Sequence, residues 1–188
     1  NLPAHILVEE DSTGRVLAQT VADATGHYHL ETPGNRPLLI TASHPQYLFS
    51  TTTIQHLNQD SQLDFELDTL ASGKKLILFN IHFSPNKDEI LPAAIPELRR
   101  LISFLNQNPN WLVRITGHTN NNVFASARFL QQLSFNRALA VKNYLLKNAI
   151  AEKRISCTGK GGKEPLVITS DPEEGLKNLR VEVVFEKK

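Results

Sequence analysis

The chain has 188 residues, with 20 Lys+Arg against 19 Asp+Glu, 40% hydrophobic residues and one cysteine. That apolar content excludes global disorder, and no apolar run reaches the ~18 residues that a membrane-spanning helix needs. Cys157 alone cannot form an internal disulfide, and its compartment stays open. No signal-peptide pattern stands at Asn1, which leaves a mature exported domain open.

Near-neutral charge hides an asymmetry. Residues 1–72 carry two basic residues, Arg15 and Arg36, against nine acidic ones. Residues 73–188 carry eighteen basic and ten acidic residues. Such a break marks two units with different partners, or two solvated surfaces that simply differ.

The first unit alternates. Short β-type runs occupy Ala4–Glu9, Arg15–Val21, His27–Glu31, Pro37–Ala42, Tyr47–Ile54 and Leu63–Leu67. Turn residues separate them at Asp11–Gly14, Ala24–Gly26, Pro33–Asn35 and His44–Pro45. Five or six strands without a helical period predict a small antiparallel β-sandwich or barrel over residues 1–70. Thr69–Gly73 reads as a linker.

From residue 74 to 188 the periods alternate between strand and helix. Lys75–Phe83 and Trp111–Gly117 read as strands. Ile95, Leu98, Leu101, Ile102 and Leu105 keep helical spacing, with Pro96 suited to the first turn and Pro109 closing the helix. Ser134 is an N-cap candidate for a second helix carrying Ala138, Val141, Leu145 and Leu146. Arg154–Thr158 and Leu179–Phe185 complete a βαβαββ order, which predicts a two-layer α/β sandwich with helices on one face of a mixed sheet.

Candidate chemistry is sparse. His27 and His29 share one strand face, but no third ligand stands near them, so no metal site is assigned. Gly159–Lys163 lacks both the spacing and the Ser or Thr of a phosphate loop and reads as a strand-exit turn. Asp88-Glu89 and Glu173-Glu174 fall in loops or helix starts, where acids suit the helix dipole. Cys157 lies on an apolar strand without a base and reads as a buried inert thiol. No catalytic residue and no cofactor is assigned, and the chain is not read as an enzyme.

The informative stretch is Gly117-His118-Thr119-Asn120, followed by Leu133–Val141. With Ser134 opening the helix, Arg137 falls in its first turn. A cation there is locally unfavourable, and makes sense if an anion is held by its fork together with the helix N-terminus. The competing reading is a surface salt bridge.

These residues resemble the C-terminal domain shared by OmpA, Pal and MotB, whose signature runs G-H-T-D, L-S-x-x-R-A-x-A-V, a G-x-G turn with a proline, and N-R-R-V-E. They stand here as Gly117–Asn120, Leu133–Val141, Gly159–Pro165 and Asn178–Glu182, with Asn80–Ser84 matching the first strand and its loop. The resemblance implies a non-catalytic module that binds the diaminopimelate stem peptide of peptidoglycan. Arg137 would hold a carboxylate and Asn120 would take the ammonium, with Phe83, Ser84 and Leu133 lining the groove. It also implies a periplasmic, outer-membrane-associated place in a Gram-negative envelope, no nucleic-acid partner, and membrane association only through segments outside this chain.

Departures from the signature keep a second reading open. Asn120 replaces the aspartate, two extra residues lie within Asn121–Gln132, Leu130 replaces an asparagine and Leu179 an arginine. Exchanging a charged hydrogen bond (~1.5–3 kcal/mol) for a neutral one (~0.5–1.5) costs roughly tenfold in affinity. The alternative is a degenerate domain that has lost wall binding and serves as a protein-interaction scaffold for other envelope proteins. Thr25–Leu30 and His44–Tyr47 resemble a carboxypeptidase-regulatory-like domain, and the pair in this order resembles the C-terminal part of PorE-type envelope proteins of type IX secretion.

Overall fold

The computed structural model describes residues 2–33, 35–56, 60–121 and 125–188. Gly34 of the expected Pro33–Asn35 turn, and residues 122–124 of the expected two-residue insertion, lie outside the described residues, as does Asn1. Two compact units, Asn1–Leu70 and Ala71–Lys188, organise the chain.

In the first unit, β1 (His5–Glu10), β2 (Val16–Val21), β3 (Leu38–Ser43) and β4 (Ser50–Ile54) form one antiparallel sheet in the order β2-β1-β3-β4. Period-two alternation puts Ala4, Ile6, Val8, Leu38, Ile40 and Ala42 into a common core. Two of the expected strands do not form. His27–Glu31 and Leu63–Leu67 have no strand partner, yet Tyr28, Leu30, Leu63, Phe65 and Leu67 all pack on that core. Among the described residues, the second sheet of the expected sandwich is therefore replaced by extended chain. Side chains alternate in both cases, but only one of them satisfies its backbone in a ladder. The Tyr28 hydroxyl, donating to Leu63 O at 2.8 Å, ties the two covering segments together.

The second unit holds β5 (Lys75–Leu78), α1 (Ile95–Gln107), β6 (Trp111–Gly117), α2 (Ala127–Lys147), β7 (Ile155–Gly159), a short turn of helix α3 (Pro172–Gly175) and β8 (Val181–Lys187). The sheet order is β5-β8-β6-β7, with β6 and β7 parallel and the other pairs antiparallel. β5 is shorter than the expected Lys75–Phe83, because the chain turns at Phe79-Asn80. Cys157 is half-buried rather than buried.

Register places both helices on one face. Val113, Ile115 and Gly117 of β6 stand opposite Phe185, Val183 and Val181 of β8. Phe104 of α1 meets Phe185 edge-on at 5.4 Å. A side chain at Gly117 would collide with the Ser134 carbonyl of α2, and one at Gly159 with the backbone at Phe135. Those two glycines let α2 lie directly on β6 and β7. Arg154 closes the far end of α1: its guanidinium donates to Leu105 O, Asn108 O and Trp111 O at 2.9–3.0 Å. Among the described residues, no helix is long and apolar enough to cross a membrane.

Candidate functional site

Helix α2 does not begin where its sequence suggests. Ser126 is the N-cap, its hydroxyl accepting from Phe129 N at 3.2 Å. Ser134 lies inside the helix and fully buried; its hydroxyl accepts from Gly161 N and donates to Gln131 O, both at 2.8 Å. It fastens the helix to the turn after β7. Arg137 is consequently near the middle of a 21-residue helix, beyond the reach of the N-terminal dipole. The expected partnership between Arg137 and a helix start is overturned.

Arg137 nonetheless occupies a distinctive environment. It is 8% exposed and lines a cavity of about 90 Å³ together with Ile81, His82, Phe83, His118, Leu179 and Arg180. Its Cζ lies 5.0 Å from the centre of the Phe83 ring. Nε donates to Lys87 O at 3.0 Å, the one hydrogen bond the side chain makes among the described residues. No carboxylate there stands within ion-pairing distance. Burial lowers the guanidinium below the ordinary arginine value, and the field of Asp88 only partly restores it. Arg154, by contrast, spends its donors on three carbonyls.

Beside Arg137 sits a buried charge cluster. Glu182 Oε1 accepts from Arg180 Nε at 2.9 Å and Nη2 at 2.7 Å, while Oε2 pairs with Lys75 Nζ at 2.8 Å. Burial pushes the Glu182 carboxyl up, but hydrogen bonds from Lys75 and Arg180 outweigh it and hold the group below its ordinary value. His118 Nε2 is 3.3 Å from Glu182 Oε2, too poorly aligned for a hydrogen bond, and its Nδ1 has no partner among the described residues. Burial, then the Arg180 charge, lower the imidazole below its ordinary 6.5 against the pull of Glu182. Arg180 Nη1 is buried without an acceptor among the described residues.

The structure brings Phe83 and Arg137 together. Ser84 follows Phe83 and is turned to its own loop, its hydroxyl donating to Glu89 Oε2 at 3.0 Å. Leu133 is buried one turn before Arg137 and does not line the cavity. Asn120 also stands outside the lining: its Oδ1 accepts from Asn178 Nδ2 at 3.3 Å, and Gly175 packs close to its Nδ2. Asn178 is the hub here, accepting from Leu166 N and Val167 N at 2.7 and 3.0 Å.

Sequence reasoning assigned no role to His118, Arg180 and Glu182, although all three lie within the quoted signature. Their signal was a charged residue at each of two alternate positions beside the apolar run of β8, with a histidine at the adjacent end of β6. Such a pattern places charge at one end of a buried sheet, where only a mutual network makes it tolerable.

A profile of the OmpA family matches residues 82–178, just over half of the chain. The chain belongs to the OmpA family. The match takes in Phe83, Ser84, Asn120, Leu133 and Arg137, and leaves the first unit outside. Among curated relatives, outer membrane porin F of Pseudomonas fluorescens is 29% identical over 57% of this chain and 32% of its own length. Peptidoglycan-binding protein ArfA of Mycobacterium bovis is 33% identical over 55% of this chain and 31% of its own. The chain thus spans about a third of the length of these relatives. The periplasmic domain of Helicobacter pylori MotB superposes with a TM-score of 0.53 at 22% identity, covering 61% of this chain and 81% of that one, a likeness of fold.

Proposed function

We propose that the second unit is a non-catalytic module that holds an outer-membrane-associated complex to peptidoglycan through the stem peptide. One observation carries the reading: Arg137 is a buried guanidinium without a carboxylate partner among the described residues, opening onto a cavity beside an aromatic ring. An unpaired buried cation is costly to keep unless a ligand neutralises it. Relatives supply the ligand class, one of them being named a peptidoglycan-binding protein. Diaminopimelate is the stem residue proposed to meet Arg137, with Phe83 as a wall of the site. The first unit is proposed as a carboxypeptidase-regulatory-like domain, and the whole as the C-terminal part of a periplasmic, PorE-type envelope protein of type IX secretion.

Sedimentation of the chain with purified sacculi tests this. The chain should pellet with the wall, and Arg137→Ala should weaken pelleting by about tenfold or more, the loss of a charged hydrogen-bonding partner, while retaining its circular dichroism. Equal pelleting by the variant would sink the proposal. A second reading, a scaffold that has lost the wall, draws on Asn120 being tied to Asn178 and on Leu179 lying in the cavity. Failure of the unmodified chain to pellet at low salt would favour it.

A further inference from the structure

The first unit holds a cavity of about 370 Å³ between its sheet and the extended segments that cover it. On the sheet side Ala4, Ala22 and Ala42 contribute only methyl groups, with Ile6 beside them. On the cover side residues 63–67 border the space without a gap. Leu63, Phe65 and Leu67 are half-buried against the core, whereas Asp64 and Glu66 are exposed. Side chains of an extended segment alternate between its two sides. Five consecutive lining residues therefore mean that the main chain itself faces the cavity.

That main chain has hydrogen bonds to offer. Among the described residues, the backbone of 28–31 and of 63–67 makes no hydrogen bond to other backbone. The Leu63 carbonyl alone is taken, by the Tyr28 hydroxyl at 2.8 Å. Polar backbone groups beside an apolar space are costly until they are paired, and an unpaired extended edge is a template for another strand. An acyl chain would fill the space and leave those groups unmet. An extended peptide meets both needs at once.

Alternation also sets the side chains of such a peptide. A strand of about five residues along 63–67 sends two or three side chains inward and the rest outward. Those turned inward meet the three alanines, Ile6 and the Tyr28 ring, so apolar residues fit. Those turned outward stand beside Asp64 and Glu66, in a region where two basic residues face nine acidic ones over 1–72. Basic side chains are favoured there. We propose that the first unit takes up an extended peptide as an added strand along residues 63–67, with alternate apolar side chains in the cavity and basic ones outward against Asp64 and Glu66. The peptide completes the second layer that the four-stranded sheet otherwise lacks. The proposal concerns the first unit alone and does not rest on the wall-binding reading.

The test uses the full chain and the capped peptide Lys-Val-Lys-Val-Lys-Val-Lys. Three comparison peptides accompany it: one with Glu for every Lys, one with the same residues in the order Lys-Lys-Lys-Lys-Val-Val-Val, and the alternating peptide N-methylated throughout. The alternating basic peptide should slow amide exchange of residues 63–67 about tenfold or more, read by NMR. Each comparison peptide should bind at least about tenfold more weakly. Ala22→Leu, which fills the cavity, should weaken the basic peptide to a similar degree while keeping its circular dichroism; should that variant not fold, the peptide series on the unmodified chain decides. Equal binding by the permuted or N-methylated peptide would overturn the proposal, as would unchanged exchange at 63–67. Laurate occupying the cavity where no peptide binds would overturn it in favour of a lipid. Concentration-dependent slowing without any peptide would overturn it in favour of a second copy of the chain.

Discussion

The two units solve the same problem, a four-stranded sheet with an apolar face, by different means. In the first, extended segments carrying Tyr28, Leu30, Leu63, Phe65 and Leu67 cover the sheet, so most covering residues are only partly buried. In the second, two helices cover the sheet and glycines allow contact between backbones. There, His118, Arg180 and Glu182 lie buried at one end of the sheet, and Lys75 reaches Glu182 from the surface.

That contrast can be broken at its strongest point first. Glu182→Gln leaves the Arg180 guanidinium buried without its counter-ion, and should destabilise the second unit by about 3–5 kcal/mol. Urea unfolding followed by Trp111, the chain's only tryptophan, reads that unit alone. Gly117→Ala should cost about 2–3 kcal/mol on the same probe, because the added methyl collides with the Ser134 carbonyl and α2 must lift away.

Acid sharpens the comparison. His118 has a lowered value in the folded state, so its contribution is complete above 6.5 and is lost as pH falls from there through the folded value. Stability of the second unit should fall on acidification below about pH 6.5 with a slope of at most about 1.4 kcal/mol per pH unit. His118→Gln should flatten that slope. A further loss begins below about pH 4.5, where the Glu182 carboxyl of the unfolded chain takes up its proton, and runs down through its lowered folded value. Smallest of all, Tyr28→Phe removes one hydrogen bond between the covering segments of the first unit and should cost about 1 kcal/mol. Tyrosine fluorescence through urea unfolding measures it, with the Trp111 transition unchanged.

How much of this was legible beforehand depended on what each signal reports. Trp111–Gly117 is read to the residue, because a glycine and a polar loop bound its β-rich run. His27–Glu31 and Leu63–Leu67 alternate as strands do, yet alternation reports a buried side and says nothing about a hydrogen-bonded neighbour. Helix α2 starts eight residues ahead of the place its sequence suggests. Ala127–Gln132 shows no apolar stripe, so Ser134 ahead of a clear stripe looked like the cap, whereas Ser126 holds that place. Of the candidate site, Arg137 and Phe83 were legible as a pair. Their cavity was not, since His118, Arg180 and Leu179 reach it only through the antiparallel join of β6 and β8.

Arg137 divides its planar group between two duties. One edge, through Nε, clasps the Lys87 carbonyl and so couples the long helix to the 84–89 loop. The terminal nitrogens are left for whatever enters. A lysine at this position would keep the positive charge but has a single nitrogen with which to clasp and to greet, so it must abandon one task. Charge alone therefore does not define the position; the flat, two-ended shape does.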